Sequence, residues 1–288
     1  MKKFLRRLAR VLPDKLYVQF LYLKTHGRLL RLHRPRTFNE KVQWYKLYYR
    51  DPLMTTLSDK YEVRKYLQAK DYGRLLNELY GVYESADEID LATLPASFVL
   101  KATHGSSMNI ICRDKKNLDW GKCRTLMDRW LRTDYFYSGR QWAYKNIRPR
   151  LICEKYLQNE EFAELIDYKF YCFHGRPEVL FICTGRFDPG GVKFAVFDMK
   201  GNRIPVCKCK AGNDLLMEKP GTFDAMKDLA GELCGEFPFI RVDLYSIKDK
   251  LIFSEFTFYP DSGVIPFTPD QYNYFFGDFF VLPGKTIC

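Results

Sequence analysis

Two strongly apolar runs near the C-terminus, Phe239-Ile240-Arg241-Val242-Asp243-Leu244-Tyr245 and Leu251-Ile252-Phe253-Ser254-Glu255-Phe256-Thr257, are separated only by the short, mostly polar stretch 246–250. This is the spacing of an antiparallel hairpin. Its period of two decides which side chains share a face: Arg241, Asp243 and Tyr245 on one strand, Glu255 and Thr257 on the other. An acid in a strand ordinarily points to solvent. Here apolar neighbours on both sides predict a sheet with a buried face, and two carboxylates brought together beside an arginine repel each other unless a cation lies between them. The Thr257 hydroxyl adds a further oxygen at strand spacing. A divalent metal holding phosphate oxygens satisfies that geometry.

A chain of 288 residues allows one large domain or two closely packed ones, and 23 Phe and 20 Tyr provide for a sizeable core. The net charge of +11 is unevenly spread: residues 1–50 hold 14 Lys or Arg against Asp14 and Glu40, a balance of +12, which leaves the rest of the chain near neutrality. Nucleic-acid binding is disfavoured, because the basic excess does not recur elsewhere. Within residues 1–12, Lys2, Lys3, Arg6, Arg7 and Arg10 alternate with Phe4, Leu5, Leu8, Val11 and Leu12. At helical spacing this gives a basic and an apolar face. The segment suits a helix lying on anionic lipid, and equally one packed on its own domain. It is no secretory signal, since charges interrupt the stretch that should be apolar, and no run of the sequence is long enough to span a bilayer. The nine cysteines are odd in number and scattered through apolar runs, which fits a reducing cytoplasm. Only Cys207-Lys208-Cys209 is close-spaced, and without a second pair it makes no zinc site.

Along the chain, residues 20–32 are apolar and predicted helical, ending before Pro35. Thr37 and Glu40 have capping-box spacing for the next helix, through Val42, Trp44, Leu47 and Tyr48, and Ser58-Asp59-Lys60 opens another. From residue 79 the pattern changes to short β-rich runs at 80–83, 97–102, 109–112, 151–156, 168–173, 179–184 and 193–198, interrupted by a helix at 120–131 and followed by one at 223–234 with Thr222 as its cap. The order predicts an α+β fold with mainly antiparallel strands rather than a βαβ repeat, with no internal repeat and no low-complexity segment. The organisation expected is a mostly helical region over 1–78, a subdomain with a small-residue loop over 79–158, and a metal and substrate subdomain over 159–288.

Other segments carry possible chemistry. Ser97 to Ala102 is a strand ending in Lys101, and Gly105, Ser106 and Ser107 follow in a loop of small residues, where backbone N–H groups can approach phosphates; a plain hairpin with an exposed lysine is the competing reading. Leu151 to Leu157 places Glu154 inside an apolar run, and Asp167-Tyr168-Lys169 follows. These three charges line a nucleotide pocket or form an ordinary cross-strand ion pair.

The succession Lys60, Lys101, Glu154 with Tyr156-Leu157, Asp167, Lys193, Arg241-x-Asp243 and Glu255-x-Thr257 resembles the ATP-grasp superfamily. More closely, Pro35-Arg36-Thr37-Phe38-Asn39-Glu40-Lys41, Ser58-Asp59-Lys60-Tyr61-x-Val63-Arg64, Leu100-Lys101-x-x-His104-Gly105-Ser106 and Glu255-Phe256-Thr257-Phe258-Tyr259-Pro260-x-Ser262-Gly263 are similar to the TupA-like ATP-grasp family, found with bacterial teichuronopeptide and surface-polysaccharide genes. The resemblance implies two α+β subdomains gripping ATP. It implies that Lys60 and Lys101 contact the nucleotide, with Lys101 reaching phosphate and adenine, that Gly105 to Ser107 cover the phosphates, and that Glu154 with the Tyr156 and Leu157 backbone meets the adenine while Asp167 meets the ribose. Asp243, Glu255 and Thr257 would hold Mg²⁺, Arg241 would face the transferred phosphoryl group and Lys193 would contact the γ-phosphate. Thr257 stands where many ATP-grasp ligases carry Asn.

The expected activity is ATP-dependent ligation of a carboxylate to an amine through an acyl phosphate, which needs positioning and charge neutralisation rather than a Ser or Cys nucleophile. The family context implies a uronic-acid or polyglutamate carboxylate, an amino-acid amine, and a cytoplasmic protein, peripheral to the membrane if residues 1–12 bind it. Two other readings stand beside it. A glycosyltransferase is disfavoured by the lack of any Asp-x-Asp, and a scaffold built on a degenerate nucleotide fold would need the intact acid pair to be dispensable.

Overall fold

A computed structural model describes residues 10–158, 165–185, 191–208 and 217–284. Of the basic segment 1–12, residues 1–9 lie outside the described residues, as do Cys209 and Cys288. Among the described residues the chain forms two antiparallel sheets. Strands β1 (Leu79–Tyr83), β2 (Phe98–Ala102), β3 (Asn109–Cys112) and β4 (Leu151–Lys155) make one, ordered β1-β4-β2-β3. Strands β5 (Asp167–Phe173), β6 (Arg176–Thr184), β7 (Lys193–Asp198), β8 (Ile240–Ile247) and β9 (Lys250–Thr257) make the other, ordered β7-β6-β5-β8-β9.

Helices α1 (Asp14–His26), α2 (Phe38–Tyr48), α3 (Pro52–Ser58) and α4 (Glu62–Gln68) precede the first sheet, α5 (Trp120–Leu131) and α6 (Phe136–Gly139) lie between β3 and β4, and α7 (Phe223–Leu233) and α8 (Gln271–Phe279) belong to the last third of the chain. The capping box forms as its spacing predicts: the Thr37 hydroxyl accepts from the Glu40 N–H while the Glu40 carboxylate accepts from the Thr37 N–H. Asp59 accepts from the N–H groups of Tyr61 and Glu62 and so starts α4. Two expectations need correction. The first described helix begins at Asp14 and stops at His26 rather than running to residue 32, because Gly27 adopts φ 66° and returns its N–H to Leu23 O. Thr222 takes the N-cap position of α7 as expected, but its hydroxyl accepts from no helix N–H and donates to the Ser246 hydroxyl instead.

The pleat sorts each sheet into two faces. In β2 and β4, Phe98, Leu100, Ala102, Leu151 and Cys153 turn toward Met127 and Trp130 of α5 to form a compact core. The larger sheet is covered on one side by α7, whose Phe223, Met226 and Ala230 pack with Phe170, Leu180 and Val242. Its opposite side is shared: one end is sealed by α2 and α8, and the rest is open. Phe38 of α2 lies among the rings of Tyr171, Phe173, Phe239, Phe267 and Phe280 at centroid distances of 5.1–6.2 Å. Residues 1–78 are thus more than a preamble to the sheets. Phe38, Val42, Tyr45, Met54, Leu57, Val63 and Leu67 belong to the same buried cluster as β5, β6 and β8.

In the hairpin β8–β9 the turn is tighter than the polar stretch suggests. Ile247 pairs with Lys250, and Lys248 and Asp249 take positive φ of 49° and 62°, the conformation of a two-residue hairpin turn. Arg241 stands opposite Thr257 and Asp243 opposite Glu255; Leu244 then pairs with Phe253, so Ser254 is bulged out. The bulge absorbs a residue and keeps Glu255 and Thr257 on the face of Arg241 and Asp243.

Candidate functional site

The two sheets face each other across a cleft of about 1070 Å³. From the smaller sheet come Val99, Lys101, Ile111 and Glu154, the residues of β2, β3 and β4 that the pleat turns away from α5. From the larger come Asp167, Lys169 and Tyr171 of β5, Phe181 and Cys183 of β6, and Arg241, Tyr245, Glu255 and Thr257 of the acid hairpin. Lys60, Ser106, Ser107, Tyr156 and Leu157 complete the walls.

At the smaller sheet, Glu154 is almost buried and takes two charged donors, Arg64 Nη1 at 2.9 Å and Lys101 Nζ at 2.6 Å. Lys101 is diagonal to Glu154 across the β2–β4 pair, whose direct partners are Val99 and Glu154. Burial alone would pull the Lys101 ammonium down, but Glu154, together with Tyr245 and Glu255, outweighs it and the pKa rises. The small-residue loop is tied to the helical region by Lys60. Its N–H donates to Thr103 O at 3.2 Å and its ammonium to Gly105 O at 2.7 Å, 4.0 Å from Glu255. Burial lowers the Lys60 pKa despite Glu255. Gly105 is required by packing, since a Cβ there would stand 2.9 Å from Met108 Sδ and from the Tyr135 ring.

On the larger sheet Arg241 holds the centre. Its Nε donates to Asp243 Oδ1 at 2.7 Å, and its Nη2 reaches Asp243 Oδ2 at 2.7 Å, Thr257 Oγ1 at 3.0 Å and Glu255 Oε1 at 3.2 Å. Lys169 donates to Asp243 Oδ2 at 2.8 Å and lies 3.6 Å from Asp167. The buried ammonium of Lys169 is pulled down by desolvation but raised overall by Asp243. One cationic nitrogen therefore touches all three oxygens expected to hold metal, so two carboxylates and a hydroxyl converge on a single point. That donor set fits a hard divalent ion that completes its shell with water and phosphate oxygens. No group of three or more His, Cys, Asp or Glu able to hold a metal by itself occurs among the described residues.

Of the residues expected at the site, three do not line the cleft. Asp243 is buried and hydrogen-bonded to Arg241, and Gly105 is buried within its loop. Lys193, the expected γ-phosphate contact, is exposed on β7 while its neighbours Val192 and Phe194 face the cleft, so the pleat carries its side chain to the other face. Besides Lys169, the cleft on this side contains Lys208, whose ammonium donates to the Tyr171 phenol and, at 2.6 Å, to Asp261 Oδ2. In the sequence Lys208 appears only between two cysteines, and Asp261 only as the variable position of Pro260-x-Ser262-Gly263. Neither carries a local signal, because each acquires its role through contacts 37 and 53 residues away.

A profile of the TupA-like ATPgrasp family matches residues 40–281. No curated protein sequence matches the chain. Among solved structures, D-alanine–D-alanine ligase from Bacillus anthracis complexed with ATP is 12% identical at a TM-score of 0.41, over 83% of this chain and 62% of that one. The Helicobacter pylori D-alanine–D-alanine ligase is 14% identical at 0.43, over 85% and 69%, and a RimK-domain ATP-grasp protein from Sphaerobacter thermophilus is 13% identical at 0.41, over 79% and 69%. The chain thus spans 62% of the length of the Bacillus anthracis enzyme. The matched stretch contains both sheets, the cleft between them and the acid hairpin, and on that match the chain belongs to the TupA-like ATP-grasp family.

Proposed function

We propose that the protein is an ATP- and Mg²⁺-dependent ligase that joins a carboxylate to an amine. The observation that carries this reading is the convergence of Asp243, Glu255 and Thr257 on the Arg241 guanidinium, at the edge of a cleft that also holds Lys60, Lys101 and Lys169. The four cations among them, Arg241, Lys60, Lys101 and Lys169, suit a polyphosphate better than a neutral ligand. In the proposed reaction a substrate carboxylate oxygen bonds to the γ-phosphorus as the bridging P–O bond breaks and ADP leaves. The amine nitrogen then bonds to the acyl carbon, loses a proton, and phosphate departs.

The chain's residues act by position and charge. Glu154 and the Tyr156–Leu157 backbone would meet the adenine edge and Asp167 the ribose. Lys101, Lys60 and the Ser106–Ser107 amides would take the phosphates. Arg241 would stabilise the charge that develops on the phosphoryl group in flight. Mg²⁺, held by Asp243, Glu255 and Thr257, would neutralise the terminal phosphates. A bacterial surface polymer bearing uronic-acid or glutamate carboxylates, with an amino acid as the amine, is the substrate pair that family membership supports. The basic N-terminal segment supports a position at the inner face of the membrane, and no described helix is long and apolar enough to cross one.

Calorimetric titration with a non-hydrolysable ATP analogue, with and without Mg²⁺, tests the reading. The native protein is expected to bind in a Mg²⁺-dependent manner and the Asp243→Ala, Glu255→Ala double variant to lose that dependence. Absence of nucleotide binding in the native protein would overturn the ligase.

A further inference from the structure

We infer that Lys208 and Asp261 form an acceptor subsite in the cleft that binds the zwitterionic head of a free α-amino acid, the Asp261 carboxylate taking its ammonium and the Lys208 ammonium taking its carboxylate. This deepens the ligase reading and rests on it.

The pair is built into the fold at some cost. Asp261, Ser262 and Gly263 are three successive residues with positive φ, at 50°, 55° and 62°. The left-handed conformation is unfavourable for an L-residue, so two non-glycine residues in a row persist only where the surroundings impose them. Helix α2 imposes them here. Gln43 Nε2 donates to Ser262 O at 2.9 Å and Gly263 O at 2.8 Å, and Lys46 Nζ donates to Ser262 O at 2.9 Å and Gly139 O at 2.8 Å. A Cβ on Gly263 would come within 2.8 Å of Gln43 Nε2 and Val42 Cγ1, and one on Gly139 within 2.3 Å of the Ser262 hydroxyl. The turn has no slack, and it presents the Asp261 carboxylate to the cleft beside Ser262.

Lys208 is held as firmly. It is buried, hydrogen-bonded to the Tyr171 phenol, and its ammonium lies 5.0 Å from the ring centroids of Tyr171 and Phe181 and 5.3 Å from that of Phe267. Both partners line the cleft, and their 2.6 Å contact satisfies each charge in the absence of a ligand. A zwitterion offers the same two charges in reverse, separated by a single carbon. It can therefore open the pair and re-pair each half with no charge left alone, which a simple amine or a simple acid cannot do. Lys208 bonds the Tyr171 phenol, and Tyr171 stands directly opposite Arg241 across β5 and β8, which puts the pair beside the phosphoryl end of the cleft, where an acceptor has to stand.

The test uses native protein saturated with Mg²⁺ and the non-hydrolysable ATP analogue, titrated by calorimetry with each of the common α-amino acids. Any that binds is compared with its decarboxylated amine and its deaminated acid. At least one amino acid is expected to bind, and both truncated forms are expected to bind about 10–100-fold more weakly, the effect of losing one charged hydrogen bond. Lys208→Met and Asp261→Asn are expected to lose amino-acid affinity by a similar factor while still taking up nucleotide, which also reports that they are folded. Nucleotide binding without binding of any amino acid overturns the subsite alone, as does equal binding of an amine lacking the carboxylate. Failure of nucleotide binding removes the ligase reading on which the subsite depends. The native-protein comparison stands even if a variant fails to fold.

Discussion

Lys46 is the least conventional residue of the chain: a lysine 1% exposed whose ammonium meets two backbone carbonyls and the Ser262 hydroxyl. Burial pushes its pKa down to about 7, against about 10.4 for an unfolded lysine. The folded chain then binds fewer protons than the unfolded chain between those values, so the group's contribution to stability grows as pH rises from 7 toward 10 and is lost as pH falls to 7. The difference in unfolding free energy between native protein and Lys46→Met, measured by urea titration, is expected to change in that direction over pH 7–9. A flat difference would show that the ammonium is solvated. Legibility at this scale follows the reach of each contact. Asp243 and Glu255 stand out because an acid in an apolar strand breaks a period of two, and Lys101 and Glu154 for the same reason. Lys46, Lys208 and Asp261 sit in unremarkable local surroundings and are defined by partners scattered between residues 139 and 262.

Among the elements, strands and caps were readable where the signal is local. The Thr37–Glu40 box, the strands of the smaller sheet and helix α5 lie where propensity and pattern place them. The Ser254 bulge was not readable: nothing in an alternating run says which residue will be left unpaired, and only the demand that Glu255 and Asp243 meet selects it. The bounds of helix α1 are not legible in the sequence because its apolar content is not confined to one side. Val18 and Tyr22 are buried, yet Leu16, Phe20 and Leu23 are 57%, 63% and 43% exposed at spacings of four and three, beside the exposed Lys15 and Lys24. Six of the nine exposed large hydrophobic residues that the described chain presents fall between Val11 and Leu29. Apolar side chains flanked by lysines suit a helix resting on anionic lipid. The full chain is expected to sediment with vesicles containing phosphatidylserine, to release as salt is raised, and to lose binding in Leu16→Ser, Phe20→Ser, Leu23→Ser. Equal sedimentation with neutral vesicles would exclude the electrostatic part of this attraction.

At the scale of the molecule, the α+β class and the antiparallel habit followed from the order of short strands and interspersed helices. The partnership between the first helices and the last strands did not, because it joins segments on opposite sides of the smaller sheet's sequence. A chain beginning at residue 79 would contain every strand but lack Phe38, Val42, Tyr45, Met54, Leu57, Val63 and Leu67 from the larger core. Large core deletions cost several kcal/mol per side chain, against a total stability of about 5–15 kcal/mol. Such a chain is expected to show no cooperative thermal transition by circular dichroism, whereas a transition like that of the full chain would mean that the helices are accessory. The ring of Phe38 also has a temporal meaning. Its neighbours Phe239 and Phe280 lie 5.1 and 6.1 Å away in space but some two hundred residues later in the chain. On the ribosome α2 emerges long before the surfaces it will cover, and its apolar side must wait for nearly the whole of synthesis. The smaller sheet and α5 can close on their own contacts meanwhile, so the cleft between the sheets gains its first wall early and its second only when translation is nearly complete.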